Sequence, residues 1–375
     1  MKDVRPLARS TFKDACYLNL GGPMYYVGLD LHKKYITGCA LDSQGAVVTT
    51  ERRLPPVLET VLGWLAPVGQ PAAVALEATL YWAWLHDRLT AAGYQVAVAH
   101  PQQVKLICHA RCKTDPVDAR KLADLLRTDL LPAIWIPDAE TRARRTLLRG
   151  RAWVVRTRTR VKARIQAYLA AENERVPVSD LFSRGGRAWL ATVALPPEVR
   201  AQVDRLLALV EQLDVQIAGQ DRTVRELARA TPEAERLQTI PGIGPFGALL
   251  LLAEIGTITR FGSSHELAAY AGLVPSTRSS GGKTAHGTVG PAGSAWLKWL
   301  FVEAVQTLKR QPGPVRQHYE RLLRAKGKQK ATVAAARKLC CYVYWMMKEG
   351  WSYDDWLRQR PQREVRPIQA VASVA

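Results

Sequence analysis

Regular patterning begins at Met24. Apolar runs of strand length cover residues 25–31, 35–41 and 46–52, joined by tight polar links, with Gln44-Gly45 as a turn signal between the second and third. A helical stretch follows at 56–65, then a continuous apolar run at 72–76 that predicts a buried strand. A helix at 81–92, a strand at 95–99 and a helix from Asp115 to about Arg127 complete the first third. Residues 1–23 mix charge, Gly-Gly-Pro and isolated apolar residues without period. They are expected to form a poorly ordered leader, and an over-long start is an alternative.

Three strands joined by short links pair antiparallel, whereas strands separated by helices pair parallel. That succession is the RNase H-like order, and it predicts an α/β domain over 24–137.

The period then changes. Leu147, Val154, Val161 and Tyr168 recur every seven residues within 138–170, with Arg151, Arg158 and Ile165 beside them. A second series, Leu206, Val210, Leu213, Ile217, Val224 and Leu227, predicts an antiparallel partner, so that 138–235 forms a helical coiled-coil arm. Its tip is expected at the break around Pro177 and residues 183–186. Residues 236–357 read as a mostly α C-terminal domain. It opens with Ile240-Pro-Gly-Ile-Gly-Pro245, which resembles the hairpin of a helix-hairpin-helix, whose glycines let backbone amides approach a phosphate. A Gly/Ser loop at 279–287, an aromatic helix at 293–308 and a last helix at 329–348 follow. The tail, 358–375, is expected to be loose.

Charge narrows the partner. Lys and Arg number 53 against 33 Asp and Glu in 375 residues, a formal charge of +20. Such a surplus favours a polyanion, because neutralising phosphates releases condensed counterions. No apolar run approaches the ~18–20 residues of a spanning helix, and the N-terminus lacks the apolar core of a secretory signal. A cytoplasmic protein with no membrane partner is expected. Cys108-His-x-x-Cys112 has no second pair to complete a zinc site, so reduced thiols are the better reading. Along the first arm helix, Arg142, Arg145, Arg149, Arg156, Arg160 and Arg164 are candidate phosphate contacts; the plainer reading is a solvated helix face.

Four carboxylates carry the chemistry. Asp30 ends one apolar run and Glu77 ends another, at a sheet's rim, while Asp115 and Asp118 lie one turn apart on a helix. Like charges so gathered need cations between them, and oxygen donors suit Mg²⁺, which serves phosphoryl transfer by neutralising the attacking and leaving oxygens. Read singly they are ordinary: Asp115-Pro116-Val117-Asp118 also makes a good helix opening. An actin-like ATPase would want glycine just after Asp30, and this chain has Leu31-His32.

The second constellation is Arg278-Ser279-Ser280-Gly281-Gly282-Lys283, with His286 nearby. A serine attacking a phosphodiester needs exposure, flexible neighbours and cations, and Ser280 directly precedes the glycines. A flexible linker is the alternative.

These stretches together resemble a known family. Tyr26-Val-Gly-Leu-Asp30-Leu-His, Leu76-Glu77-Ala-Thr, Lys113-Thr-Asp115-Pro-Val-Asp118-Ala-Arg-Lys-Leu-Ala123, Ile240-Pro-Gly-Ile-Gly244 and Ala268-Ala-Tyr-Ala-Gly-Leu-Val-Pro275 followed by Ser280-Gly281 are similar to the DEDD insertion-sequence transposases of the Piv/MooV-related, insertion-sequence one-ten group. The likeness runs from about Met24 to Met347. It implies a RuvC-like metal domain in which Asp30, Glu77, Asp115 and Asp118 bind Mg²⁺. It also implies a coiled-coil arm and a C-terminal transposase domain whose Ser280 forms a phosphoserine link to DNA. A structured bridge RNA pairing donor and target DNA, and a dimer or tetramer joining one subunit's metal domain to another's serine domain, are further implications. This chain departs in carrying Ser294 and Lys298 where relatives usually carry Asn and Arg; lysine keeps the charge of a phosphate contact without the bidentate fork. Two other readings are a RuvC-type nuclease or junction resolvase that uses water, and a non-catalytic nucleic-acid-binding protein.

Overall fold

The computed structural model describes residues 24–108, 115–280, 283–287, 289–290 and 293–359, with backbone only for 277–280 and 283–286. The expected leader, most of the tail and Cys112 lie outside the described residues. The chain divides into two compact units, 1–136 and 137–375.

The first unit is built on a five-stranded sheet of β1 (Tyr25–Leu31), β2 (Ile36–Leu41), β3 (Val47–Leu54), β4 (Ala72–Glu77) and β5 (Gln95–Ala99). The spatial order is β3-β2-β1-β4-β5: β1 pairs antiparallel with β2 and parallel with β4, and β5 runs parallel to β4. This is the RNase H-like arrangement expected from the run lengths. At the edge, β3 exposes Glu51, Arg52 and Arg53, charges that blunt unpaired strand groups.

The two faces of the sheet differ in side-chain size, and that difference positions the site. One face carries Val27, Leu29, Val74, Leu76 and Val98, packed under Val61 and Leu65 of α1 (Leu58–Leu65) and Leu85 and Leu89 of α2 (Trp82–Ala91). The other face is floored by Ala73, Ala75, Ala97 and Ala99. Leu122 and Leu126 of α4 (Asp115–Arg127) lie on that floor, and Ala119 and Ala123 pack with Cys39 and Leu41. At Gly28 the helix comes so near that a Cβ would sit 2.0 Å from the Ala119 carbonyl oxygen. Small residues on alternate strand positions therefore draw α4 against β1. The short α3 (Pro101–Ile107) escaped the sequence reading: it buries no residue, leaving Leu106 and Ile107 exposed without helical period.

In the second unit, α5 (Ala139–Ala171) and α7 (Pro197–Arg229) run antiparallel. Val154, Leu213 and Ile217 form one part of their seam, and Ile165, Leu169, Val203 and Val210 another. Arg151 and Arg158, the polar members of the heptad, reach across to Asp221 and Asp214. The expected break at 183–186 is instead the start of α6 (Arg184–Thr192). Ser183 caps it by accepting from the Gly186 amide, and Gly186 packs against the Asp180 and Leu181 carbonyls with no room for a Cβ. Leu181 and Leu190 close the end of the arm.

Leu148, Val224 and Ala228 of the arm join the main core, built by α8 (Pro232–Gln238), α9 (Pro245–Ile255), α10 (Ser264–Tyr270), α11 (Ala295–Leu308), α12 (Pro314–Glu349) and α13 (Tyr353–Gln359). Tyr342 stacks on Trp356 within it. At Gly327 (φ 75°) α12 breaks, which starts the last long helical stretch close to where its pattern begins in the sequence. Between α8 and α9, Gly242 holds a φ of 91° and abuts Thr307, so packing as well as any phosphate calls for glycine there. Among the described residues no helix is long and apolar enough to cross a membrane.

Candidate active site

Strand alternation puts Asp30 on the same face as Gly28, the face that α4 covers. The register Leu29–Leu76 between parallel β1 and β4 brings the next residues, Asp30 and Glu77, level on adjacent strands. Because α4 is drawn onto β1 at Gly28, its N-terminus, with Asp115 and Asp118, arrives at the end of β1 that carries Asp30.

The closest grouping includes a residue the carboxylate pattern did not single out. The Nε2 atom of His32 lies 3.2 Å from Asp30 Oδ2 and 3.5 Å from Asp115 Oδ1. One ligand atom from each of Asp30, His32 and Asp115 falls within 4.8 Å of the others. Tyr35 donates to Asp115 Oδ2 at 2.9 Å, and its ring leans on the His32 ring with centroids 4.7 Å apart. Glu77 and Asp118 stand outside the trio; Asp118 Oδ1 accepts from Lys121 Nζ at 2.8 Å. A usable signal for His32 was present, since a histidine two positions beyond Asp30 returns to the same side of the chain.

The electrostatics are those of an anion-crowded pocket. Burial pushes the Asp30 carboxyl above the ordinary carboxylate range; His32 draws it down, and Asp115 and Asp118 push it further up. The Tyr35 hydroxyl is raised above 10 chiefly by its bond to Asp115. A buried carboxylate facing two more with one imidazole between them is a donor set that fits a divalent cation.

The arm arginines divide. Arg145 donates to the carbonyls of Ala253 (2.7 Å) and Glu254 (3.2 Å), which are acceptors of the last turn of α9. Arg149 pairs with the buried Glu254 carboxylate at 2.7 Å, and Arg142 donates to the Pro137 carbonyl at 2.7 Å. The Arg145 and Arg149 contacts tie α5 to α9, and the Arg142 contact closes its own first turn, roles the charge run alone did not reveal. Arg156 covers the Trp296 ring and Arg164 the Tyr168 ring, while Arg160 is exposed.

In the C-terminal part, β6 (Thr277–Ser280) and β7 (Lys283–His286) form a hairpin whose register sets Ser280 opposite Lys283. The side chains of Arg278, Ser280 and Lys283 lie outside the described residues. Ser294 caps α11 by accepting from the Leu297 amide, a task asparagine also performs, and Lys298 Nζ donates to the Gly290 carbonyl at 2.8 Å. Among the described residues, Cys39, Cys108, Cys340 and Cys341 form no disulfide.

The chain is similar in sequence to known proteins. Residues 27–173 match the DEDD transposase model of the insertion-sequence one-ten group, described as "Transposase", and residues 234–320 match "Transposase IS116/IS110/IS902 family". A Sinorhizobium fredii protein named "Putative transposase y4pF/y4sB" is 30% identical over 76% of this chain and 74% of its own length. The "Transposase for insertion sequence element IS1111A" of Coxiella burnetii is 24% identical over 87% of this chain and 90% of its own. The "Insertion element IS116 uncharacterized 44.8 kDa protein" of Streptomyces clavuligerus is 26% identical over 78% and 87%. With an RNase H-like sheet, acidic residues gathered where α4 meets β1 and both halves matched in order, this chain belongs to the IS116/IS110/IS902 family of insertion-sequence transposases, enzymes that process DNA by phosphoryl transfer.

Proposed function

We propose that the protein recombines DNA in a cation-dependent reaction that passes through a covalent phosphoserine intermediate. The convergence of Asp30 and Asp115 on one point at the end of β1, from opposite ends of the first unit's sequence, carries this reading. Asp30, Glu77, Asp115 and Asp118 would hold Mg²⁺ or a similar ion, with His32 beside them. When bound, the cation supplies neutralisation of charge on the phosphoryl oxygens. The chain's own residues bury and crowd the carboxylates, orient Asp115 through Tyr35 and keep Asp118 paired with Lys121.

Ser280 is the proposed nucleophile. Its hydroxyl oxygen bonds to phosphorus as the phosphorus–sugar-oxygen bond breaks; the serine proton leaves, and the departing sugar oxygen takes one up. Attack of a sugar hydroxyl on the phosphoserine reverses the step and rejoins DNA, so no external energy source is needed. Support comes from Ser280's place at the turn end of a hairpin, beside glycines and opposite Lys283. A formal charge of +20 supports large nucleic-acid partners, and we include a structured guide RNA, with donor and target DNA, among them. We assign the protein to a homo-oligomer in which one subunit's serine meets another's metal domain.

Denaturing electrophoresis after incubation with element-end DNA tests the serine step. Wild type and Ser279→Ala are expected to leave a protein–DNA adduct, and Ser280→Ala none, with DNA binding retained. Cleavage without any adduct would favour a water nucleophile, as in a junction resolvase.

A further inference from the structure

We infer that His32 is itself a ligand to the divalent cation, giving a mixed nitrogen–oxygen site of Asp30, His32 and Asp115 that favours Mn²⁺ over Mg²⁺. This rests on the cation-dependent reading above and deepens it. The oxygen-only site expected from the four carboxylates is not the arrangement that converges most tightly.

Three observations carry the inference. The first is spacing. Ligands on adjacent corners of an octahedron at ~2.1–2.2 Å from an ion stand ~3 Å apart. His32 Nε2 lies 3.2 Å from one carboxylate oxygen and 3.5 Å from the other, so small movements complete the set.

The second is orientation. The His32 ring rests against Tyr35, and Tyr35 ties down Asp115 Oδ2, which leaves Oδ1 turned to the imidazole. Ligating groups are commonly fixed in this way by outer partners.

The third is the state of the other acids. Asp118 has a cation of its own in Lys121, 2.8 Å away, whereas Asp30 is buried and faces Asp115 with His32 between them. Imidazole nitrogen suits Mn²⁺ and later first-row ions better than Mg²⁺, which takes oxygen and water.

The competing account makes His32 a counter-ion that occupies the cation's place and leaves when it binds. The two accounts predict opposite effects of removing the ring. In the full-length protein, Mn²⁺ alone is titrated and the free ion followed by electron paramagnetic resonance. The bound ion is examined for nitrogen spin-echo modulation, and Mg²⁺ affinity is measured by competition. His32→Gln keeps a polar side chain at a position whose side chain is 38% exposed, so the fold is retained. As a ligand, His32 gives nitrogen modulation that His32→Gln abolishes. Mn²⁺ affinity falls at least about tenfold, and Mg²⁺ affinity falls less. Unchanged or tighter Mn²⁺ binding by His32→Gln, or no nitrogen signal in wild type, overturns the inference. Asp30→Asn and Asp115→Asn separate the two levels. If they lose Mn²⁺ while His32→Gln does not, only the role of His32 fails. If they bind like wild type, the metal reading itself fails.

Discussion

Tyr35 donates its phenolic hydrogen to Asp115 Oδ2 across 2.9 Å, joining the residue just ahead of β2 to the first turn of α4. The bond spans the seam between sheet and helix at the place where the acids meet. Since Asp115 raises the Tyr35 hydroxyl above its ordinary value of 10, the phenol remains a donor throughout the neutral range. Tyr35→Phe should leave thermal stability nearly unchanged while weakening Mn²⁺ binding about tenfold, because Asp115 loses the contact that orients it. Metal titration beside a melting curve checks both halves; equal affinity in the variant would remove Tyr35 from the site.

Arg149 and Glu254 make a contact of a different kind. The Glu254 carboxylate is buried, and Arg149 is its cation at 2.7 Å. Arg149→Ala strands that charge and should cost about 2 kcal/mol, less than a fully buried pair because Arg149 is partly exposed. The Arg149→Ala/Glu254→Gln double variant should recover much of the loss in denaturant melts. Arg160, exposed on the same helix, should show the reverse: little change in stability and weaker DNA binding with a shallower salt dependence. If Arg149→Ala melts like wild type, the ion pair is incidental to the fold.

His318, on α12, sets an acid-side limit. Burial, then the nearby Arg321 and Lys338 charges, lowers its pKa from the usual 6.5 to about 4. The folded chain therefore holds the ring neutral where the unfolded chain would protonate it. The sign follows: stability is unaffected by this residue above about 6.5, falls as pH drops from there towards 4, and levels off below. His318→Gln should flatten that part of the melting-temperature profile. An unaltered slope between pH 6.5 and 4 would assign the acid sensitivity elsewhere.

Much of the fold was legible because it rests on periodicity. The short apolar runs before Leu54 and the helix beginning at Asp115 each state a local geometry that packing then obeys. The seven-residue spacing announced the long helix, but of Leu147, Val154, Val161 and Tyr168 only Val154 is buried, the other three being half-buried beside Leu148, Ile165 and Leu169. What eluded the pattern lacked a period or reversed a local cue. The helix at 101–107 buries nothing, and the Ser183–Gly186 stretch looks like a break because two glycines outweigh the serine cap before them. The arginines of α5 form one uniform charge run in sequence; their separation into Glu254's partner, helix-end donor and exposed cation depends on what α9 brings near them.

Sequence pattern alone placed the four candidate carboxylates on their elements, since Asp30, Glu77, Asp115 and Asp118 sit at strand ends and a helix start whatever the packing. Which groups meet was set by the packing of helix on sheet. A glycine at position 28 lets α4 settle against β1, and only that approach sets Asp115 beside His32 and Tyr35. Local patterns fix where a side chain stands on its own element; the partners across the gap depend on how closely two backbones pack, which residues far apart in the chain settle jointly.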